Sequence, residues 1–98
     1  MIKKRTLVLV AIREELREED FPDFNIHYTG VGKINASLKT SEVIKEYSPT
    51  HIINYGTAGS LNEELKGLVE VTRFFQRDMD ATSLGFKIGQ TPFDDIAE

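Results

Sequence analysis

The sequence predicts an α/β domain with a mostly parallel central sheet, and three observations carry that prediction. Residues 6–12 (TLVLVAI) are a continuous apolar, β-branched run of the kind found in strands buried on both faces. Residues 33–47 form one long segment with helical spacing, set between strand-like runs. Residues 51–55 (HIINY) then lead directly into the small-residue turn Gly56-Thr57-Ala58-Gly59. Open α/β sheets place their ligands there, outside the carboxyl ends of the strands.

Each element follows in order. Residues 6–12 predict the first strand. Residues 13–20 (REELREED) switch to charged helix formers, and Phe21-Pro22-Asp23 breaks them, because proline disfavours helix in the residue before it. Residues 25–29 read as a short second strand that runs into the turn Gly30-Val31-Gly32. In the helix, Ala36, Thr40, Val43, Ile44 and Tyr47 are expected to form the buried stripe, with Lys39, Glu42, Lys45 and Glu46 outside. Ser48-Pro49 ends the helix, and residues 51–55 are expected to be a central, buried strand. Residues 61–65 suggest a helical turn and residues 68–75 another strand. Beyond Asp78 the pattern becomes a loop punctuated by Gly85, Gly89 and Pro92, with no closing element in residues 94–98. Strands alternating with a helix imply parallel pairing and crossovers. A three-layer sandwich needs helices on both faces, and only one long helix is predicted, so residues 1–98 read as a single, partial domain.

Composition narrows the function. The chain has 98 residues, 40% of them hydrophobic, and a net charge of −4. That suffices for one compact unit and offers no basic stripe for nucleic acid. Lys3-Lys4-Arg5 reads as a solvated flank before the first strand. Cysteine is absent, which excludes disulfides and thiolate metal sites. The first apolar run is too short to span a membrane and lacks a signal-peptide cleavage site, so the expectation is a cytoplasmic protein without a membrane partner.

Several constellations invite a functional reading. Gly30-Val31-Gly32-Lys33-Ile34-Asn35 opens like a dinucleotide fingerprint, but Asn35 stands at the third glycine position. It also fails as a phosphate loop, since Ile34 follows Lys33. A glycine-permitted strand-to-helix turn is the favoured reading, with Gly32 and Lys33 able to border a ligand at the helix start. Glu14 and Glu15 follow the first strand, where acidic residues commonly complement a helix dipole. Adjacent helical side chains diverge by about 100°, so one carboxylate can face a cleft and orient a water as general base. Asp78 and Asp80 lack a third oxygen-rich neighbour and read as turn-capping groups, and no metal is expected. His27 and His51 read as packed or edge histidines. Met79 carries no obvious chemistry.

Together these segments resemble one family. The collinear motifs are VAIREEL, YTGVGKINAS, IINYGTAGSL, and RDMDATSLGF followed by GQTP, covering residues 7–92. They are similar to the bacterial 5′-methylthioadenosine/S-adenosylhomocysteine nucleosidases, within the purine nucleoside phosphorylase superfamily. The resemblance implies a three-layer α/β sandwich of the nucleoside phosphorylase type, here its N-terminal half. It implies hydrolysis of the N-glycosidic bond between adenine and a 5′-thio-substituted ribose, without a cofactor. Glu15 matches the glutamate that activates the water, and Thr57, Ala58 and Gly59 match the turn beside ribose and base. Ala81 and Leu84 match the segment lining the 5′-substituent and base pocket. Leu84 and Pro92 match positions that reach into a neighbouring subunit's site, which implies a homodimer.

Phosphorylases of the superfamily place arginine where Asn54 stands and a glycine- and arginine-containing phosphate loop over residues 11–15. This chain has neither, and hydrolysis is preferred to phosphorolysis. Two departures accompany the resemblance. The link before Gly30 is short, without the family's extra hairpin. The family's general-acid aspartate and its Met-Glu pair for the ribose hydroxyls lie in a C-terminal half outside this sequence. The expected partners are therefore a purine nucleoside and either a homodimer mate or a complementary C-terminal half, with the isolated chain inactive. Alternatives are a non-catalytic nucleoside-binding or dimerisation module, and a remnant without a stable fold. Methylthioadenosine, adenosylhomocysteine, deoxyadenosine and futalosine-like nucleosides are all compatible substrates.

Overall fold

The computed structural model describes residues 5–76 and 78–92, and the chain divides into two units, Met1–Gly59 and Ser60–Glu98. The first unit holds a parallel sheet of three strands, β1 (Thr6–Val10), β2 (Asn25–Tyr28) and β3 (His51–Tyr55), in the order β2-β1-β3. Leu7 pairs with Asn25 on one side and Ile52 on the other. At the far end, Val10 pairs with Tyr28 and Tyr55. The parallel pairing expected of the three runs is present.

β1 is the buried centre because every residue after Thr6 is a large aliphatic and successive side chains alternate between faces. Leu7 and Leu9 point to one face, where they meet Val43 of the helix α1 (Lys33–Tyr47). Val8 and Val10 point to the other, joining Ile26 with Leu16, Tyr28 and Tyr55 packed around them. Leu7 and Val10 are fully buried.

α1 has the bounds the sequence suggests. Gly30 and Gly32 adopt φ of 83° and 99°, a region that admits glycine without a Cβ clash, and this turns the chain from β2 into the helix. At the other end Ser48 takes a left-handed conformation (φ 44°), with its N–H donating to the Ile44 carbonyl. The buried stripe is narrower than expected. Val43 alone is buried, Ala36 and Thr40 are half-buried, and Ile44 and Tyr47 are exposed.

The position of β3 corrects the expectation of a central buried strand. It lies at the sheet's edge, with His51, Ile52, Ile53 and Asn54 exposed. An apolar strand is buried only where other elements cover it, and among the described residues no strand pairs beyond β3.

Residues 13–20 are not one helix but two short 3-10 turns, Arg13–Glu15 and Glu18–Asp20. In a helix the Leu16 carbonyl would accept from Asp20 and the Glu18 N–H would donate to Glu14. Both are instead taken by Tyr28, whose hydroxyl donates to the Leu16 carbonyl (2.6 Å) and accepts from the Glu18 N–H (3.0 Å). β1 also ends sooner than expected, at Val10, leaving Ile12 exposed.

In the second unit residues 68–75 form no strand, although they alternate in the sequence. The N–H of Leu65 donates to the Asn62 carbonyl in a turn at the expected helical position. Gln76 N–H donates to the Gly89 carbonyl (3.0 Å) and Gly89 N–H to that of Met79 (2.7 Å). A 3-10 turn, Thr82–Leu84, begins where the Asp80 carboxylate accepts from the Thr82 N–H and hydroxyl, the capping role expected of it. Lys3, Lys4 and residues 94–98 lie outside the described residues.

Candidate functional site

Parallel pairing puts the C-terminal ends of β1 and β3 at one edge of the sheet, and Val10 and Tyr55 are direct partners there. Past Val10, the pairing with β2 continues through the Thr29 N–H to the Val10 carbonyl (2.8 Å) and the Gly30 N–H to the Ala11 carbonyl (2.9 Å). This holds the chain extended until the Arg13–Glu15 turn, closed by the Glu15 N–H on the Ile12 carbonyl. On the neighbouring strand the chain leaves Tyr55 into Gly56 and Thr57.

The two ends meet in a carboxylate–threonine contact. Glu15 Oε2 accepts from both the backbone N–H and the hydroxyl of Thr57, each at 2.7 Å. Oε1 takes only a long contact from the Ile12 N–H, 3.4 Å. The Thr57 hydroxyl, then its N–H, hold the Glu15 carboxyl below the usual carboxylate range, against a smaller opposing effect of desolvation. Glu15 is therefore ionised at neutral pH. A carboxylate has about four lone-pair positions, and Oε1 retains capacity to hold a water.

Gly56 leaves room for the closest form of this approach. A Cβ at that position would lie 3.2 Å from Glu15 Oε2, tighter than ordinary van der Waals contact. The sequence marks Gly56 as part of a turn, but its service to Glu15 depends on a contact 41 residues away in the chain, between positions 15 and 56. The role of Tyr28 in holding residues 16–18 has no sequence signal either, being one side chain gripping two backbone groups on another element.

Other expected site residues are placed less tightly. Ala58 and Gly59 continue the turn after Thr57 and are exposed. Ala81, Leu84 and Pro92 belong to the second unit. There Ala81 precedes the Thr82–Leu84 turn, Leu84 is exposed and Pro92 is half-buried. His27 packs against Tyr47 in a tilted arrangement with ring centroids 5.0 Å apart, and burial pushes its pKa down, reinforced by Lys39. That packing suits the reading of His27 as a packed histidine. His51 is exposed on the edge strand, within 3.1 Å of the Thr50 hydroxyl. Among the described residues, no three His, Asp or Glu side chains gather in a way that could hold a metal ion. None of the described helices is long and apolar enough to cross a membrane.

Comparison with known proteins adds a second line of observation. A family model described as the phosphorylase superfamily matches residues 23–98. The chain is 39% identical over 66 residues to a 5′-methylthioadenosine/S-adenosylhomocysteine nucleosidase of Staphylococcus haemolyticus (strain JCSC1435), covering 65% of this chain and 29% of that protein. It is 41% identical over 69 residues to the protein of that name from Staphylococcus aureus (strain MRSA252), covering 68% and 30%. A namesake from Halalkalibacterium halodurans is 41% identical over 66 residues, covering 65% and 29%. The chain thus spans about 30% of the length of the curated relatives it matches. Thr57, Ala58, Gly59, Ala81, Leu84 and Pro92 lie within the family match, and Glu15 precedes it.

Proposed function

The chain belongs to the phosphorylase superfamily, and from that premise we propose that Met1–Gly59 carries the water-activating side of a nucleosidase site. The reaction is hydrolysis of the N-glycosidic bond of a 5′-methylthioadenosine or S-adenosylhomocysteine type of nucleoside, releasing adenine. The relatives' names support the substrate class. The observation that carries the reading is the Glu15 carboxylate, oriented by two Thr57 donors at the C-terminal edge of a parallel sheet.

The chemistry follows from that geometry. Loss of adenine leaves an oxocarbenium-like ribosyl group, so the attacking water needs orientation and a proton acceptor. Glu15 Oε1 can accept a hydrogen bond from that water and then its proton. The negative charge, fixed in advance by Thr57, also stabilises the developing cation. The resemblance supports placing Thr57, Ala58 and Gly59 beside the ribose and base. In the second unit it supports Ala81 and Leu84 for the 5′-substituent and base pocket, and Leu84 and Pro92 for the site of a homodimer mate. In the family this chain resembles, a general acid for the adenine and a grip on the ribose hydroxyls complete such a site. Hydrolysis is favoured over phosphorolysis because Asn54 and residues 11–15 offer no arginine-lined phosphate site beyond Arg13, which is paired with Glu19.

The test is adenine release from methylthioadenosine by the purified chain, with and without the C-terminal part of a relative supplied in trans. Release only on complementation is expected. No release with a folded, bound complement would overturn the reading in favour of a non-catalytic nucleoside-binding module, which nucleoside titration by calorimetry would then identify.

A further inference from the structure

We infer that Tyr28 is a positioning residue for Glu15, acting as a clamp on the turn that carries it. The inference takes its functional meaning from the reading of Glu15 as the water-holding carboxylate, while the clamp itself stands on contacts within the first unit. Tyr28 ends β2, and its ring packs with Leu16 against Val8, Val10 and Ile26. Its hydroxyl donates to the Leu16 carbonyl at 2.6 Å and accepts from the Glu18 N–H at 3.0 Å. One oxygen thereby fixes both peptide groups flanking Arg17, immediately after Glu15.

The segment needs such a clamp. Arg13–Glu15 is a single 3-10 turn without a buried residue of its own. A turn that short does not hold a side chain in place by itself. Tyr28 anchors its C-terminal side to the sheet, and the Thr57 donors hold the carboxylate from the adjacent strand. The phenol thus sets where the turn sits, and the turn sets whether Glu15 Oε2 reaches both Thr57 donors. Both hydrogen bonds of the Tyr28 hydroxyl go to the backbone of Leu16 and Glu18, so it acts on Glu15 through the turn.

The test reads coupling across the clamp by amide hydrogen exchange and NMR on the isotopically labelled 98-residue chain. In Tyr28→Phe the ring stays and both hydrogen bonds go. Exchange at Glu18 is expected to rise directly, and exchange at Thr57 to rise by roughly tenfold, the scale of one or two lost hydrogen bonds. The pH midpoint seen at the Thr57 amide should also move up toward the ordinary glutamate value. Tyr47→Phe, on the opposite face of the sheet, should change neither. Should Tyr28→Phe not fold, the reciprocal variant decides. Coupling works both ways, so Glu15→Gln should raise exchange at Glu18. An unchanged Thr57 amide in folded Tyr28→Phe, or an unchanged Glu18 amide in Glu15→Gln, overturns the clamp. Normal adenine release by complemented Glu15→Gln would instead overturn the functional reading and leave the clamp standing.

Discussion

Replacing Gly56 by alanine tests the site through a contact of known size. The added Cβ would sit 3.2 Å from Glu15 Oε2, whereas ordinary contact begins near 3.4 Å, so the carboxylate must retreat by at least 0.2 Å. Gly56 has no positive φ, so the backbone itself accepts alanine and the effect falls on Glu15. The two Thr57 bonds are already short at 2.7 Å and would lengthen without breaking. A misplacement of about 1 Å can cost on the order of 100-fold in rate, so a few tenths correspond to roughly two- to sixfold. The assay is adenine release by the complemented enzyme, read beside the Thr57 amide proton shift, which should move upfield as the bond lengthens. A loss as severe as that of removing the carboxylate would show that Gly56 acts through the backbone. An unmoved Thr57 amide would show that Glu15 does not occupy this position.

Three further outcomes are expected. Glu15→Gln keeps the shape and removes the base, and should lower turnover of the complemented enzyme by roughly two to four orders of magnitude, measured as adenine release. The folded-state pKa of Glu15 is depressed, so its contribution to stability is present above the unfolded value and lost as pH falls through the folded one; Thr57→Val should raise the midpoint in a carbon-13 titration of the Glu15 carboxyl, and an unchanged midpoint would refute the assigned cause. Val43→Ala removes two methyl groups from a position 1% exposed and should cost about 2 kcal/mol in urea unfolding, whereas Ile44→Ala, at 45% exposure, should cost less; equal losses would restore the broad buried stripe on α1.

What the sequence made legible was local. β-branched runs marked the strands, and Gly30, Gly32 and Ser48-Pro49 bounded α1, because each acts on its own backbone. Parallel order then followed, and with it the placing of Glu15 and Thr57 at one edge. Burial was harder to read, since it depends on what lies opposite. Ile52 and Ile53 have the composition of a core strand and sit on an uncovered edge. Residues 13–20 have helical composition, but a distant phenol competes for the hydrogen bonds a helix would need. The saturation of Glu15 Oε2 was likewise invisible, because it depends on a backbone N–H that every residue but proline carries.

The edge position of β3 governs how this sheet can grow. A strand added beyond β3 in the parallel sense would deliver its own C-terminal turn beside Gly56 and Thr57, enlarging the rim that holds Glu15. An antiparallel strand would bring its N-terminal end there and send its following turn to the far side of the sheet. Parallel neighbours cannot be joined by a tight hairpin and require a crossover of a dozen or more residues. A segment that follows β3 in the same polypeptide and completes the rim as its parallel neighbour must therefore return through such a crossover, whereas a strand from another polypeptide is free of that constraint.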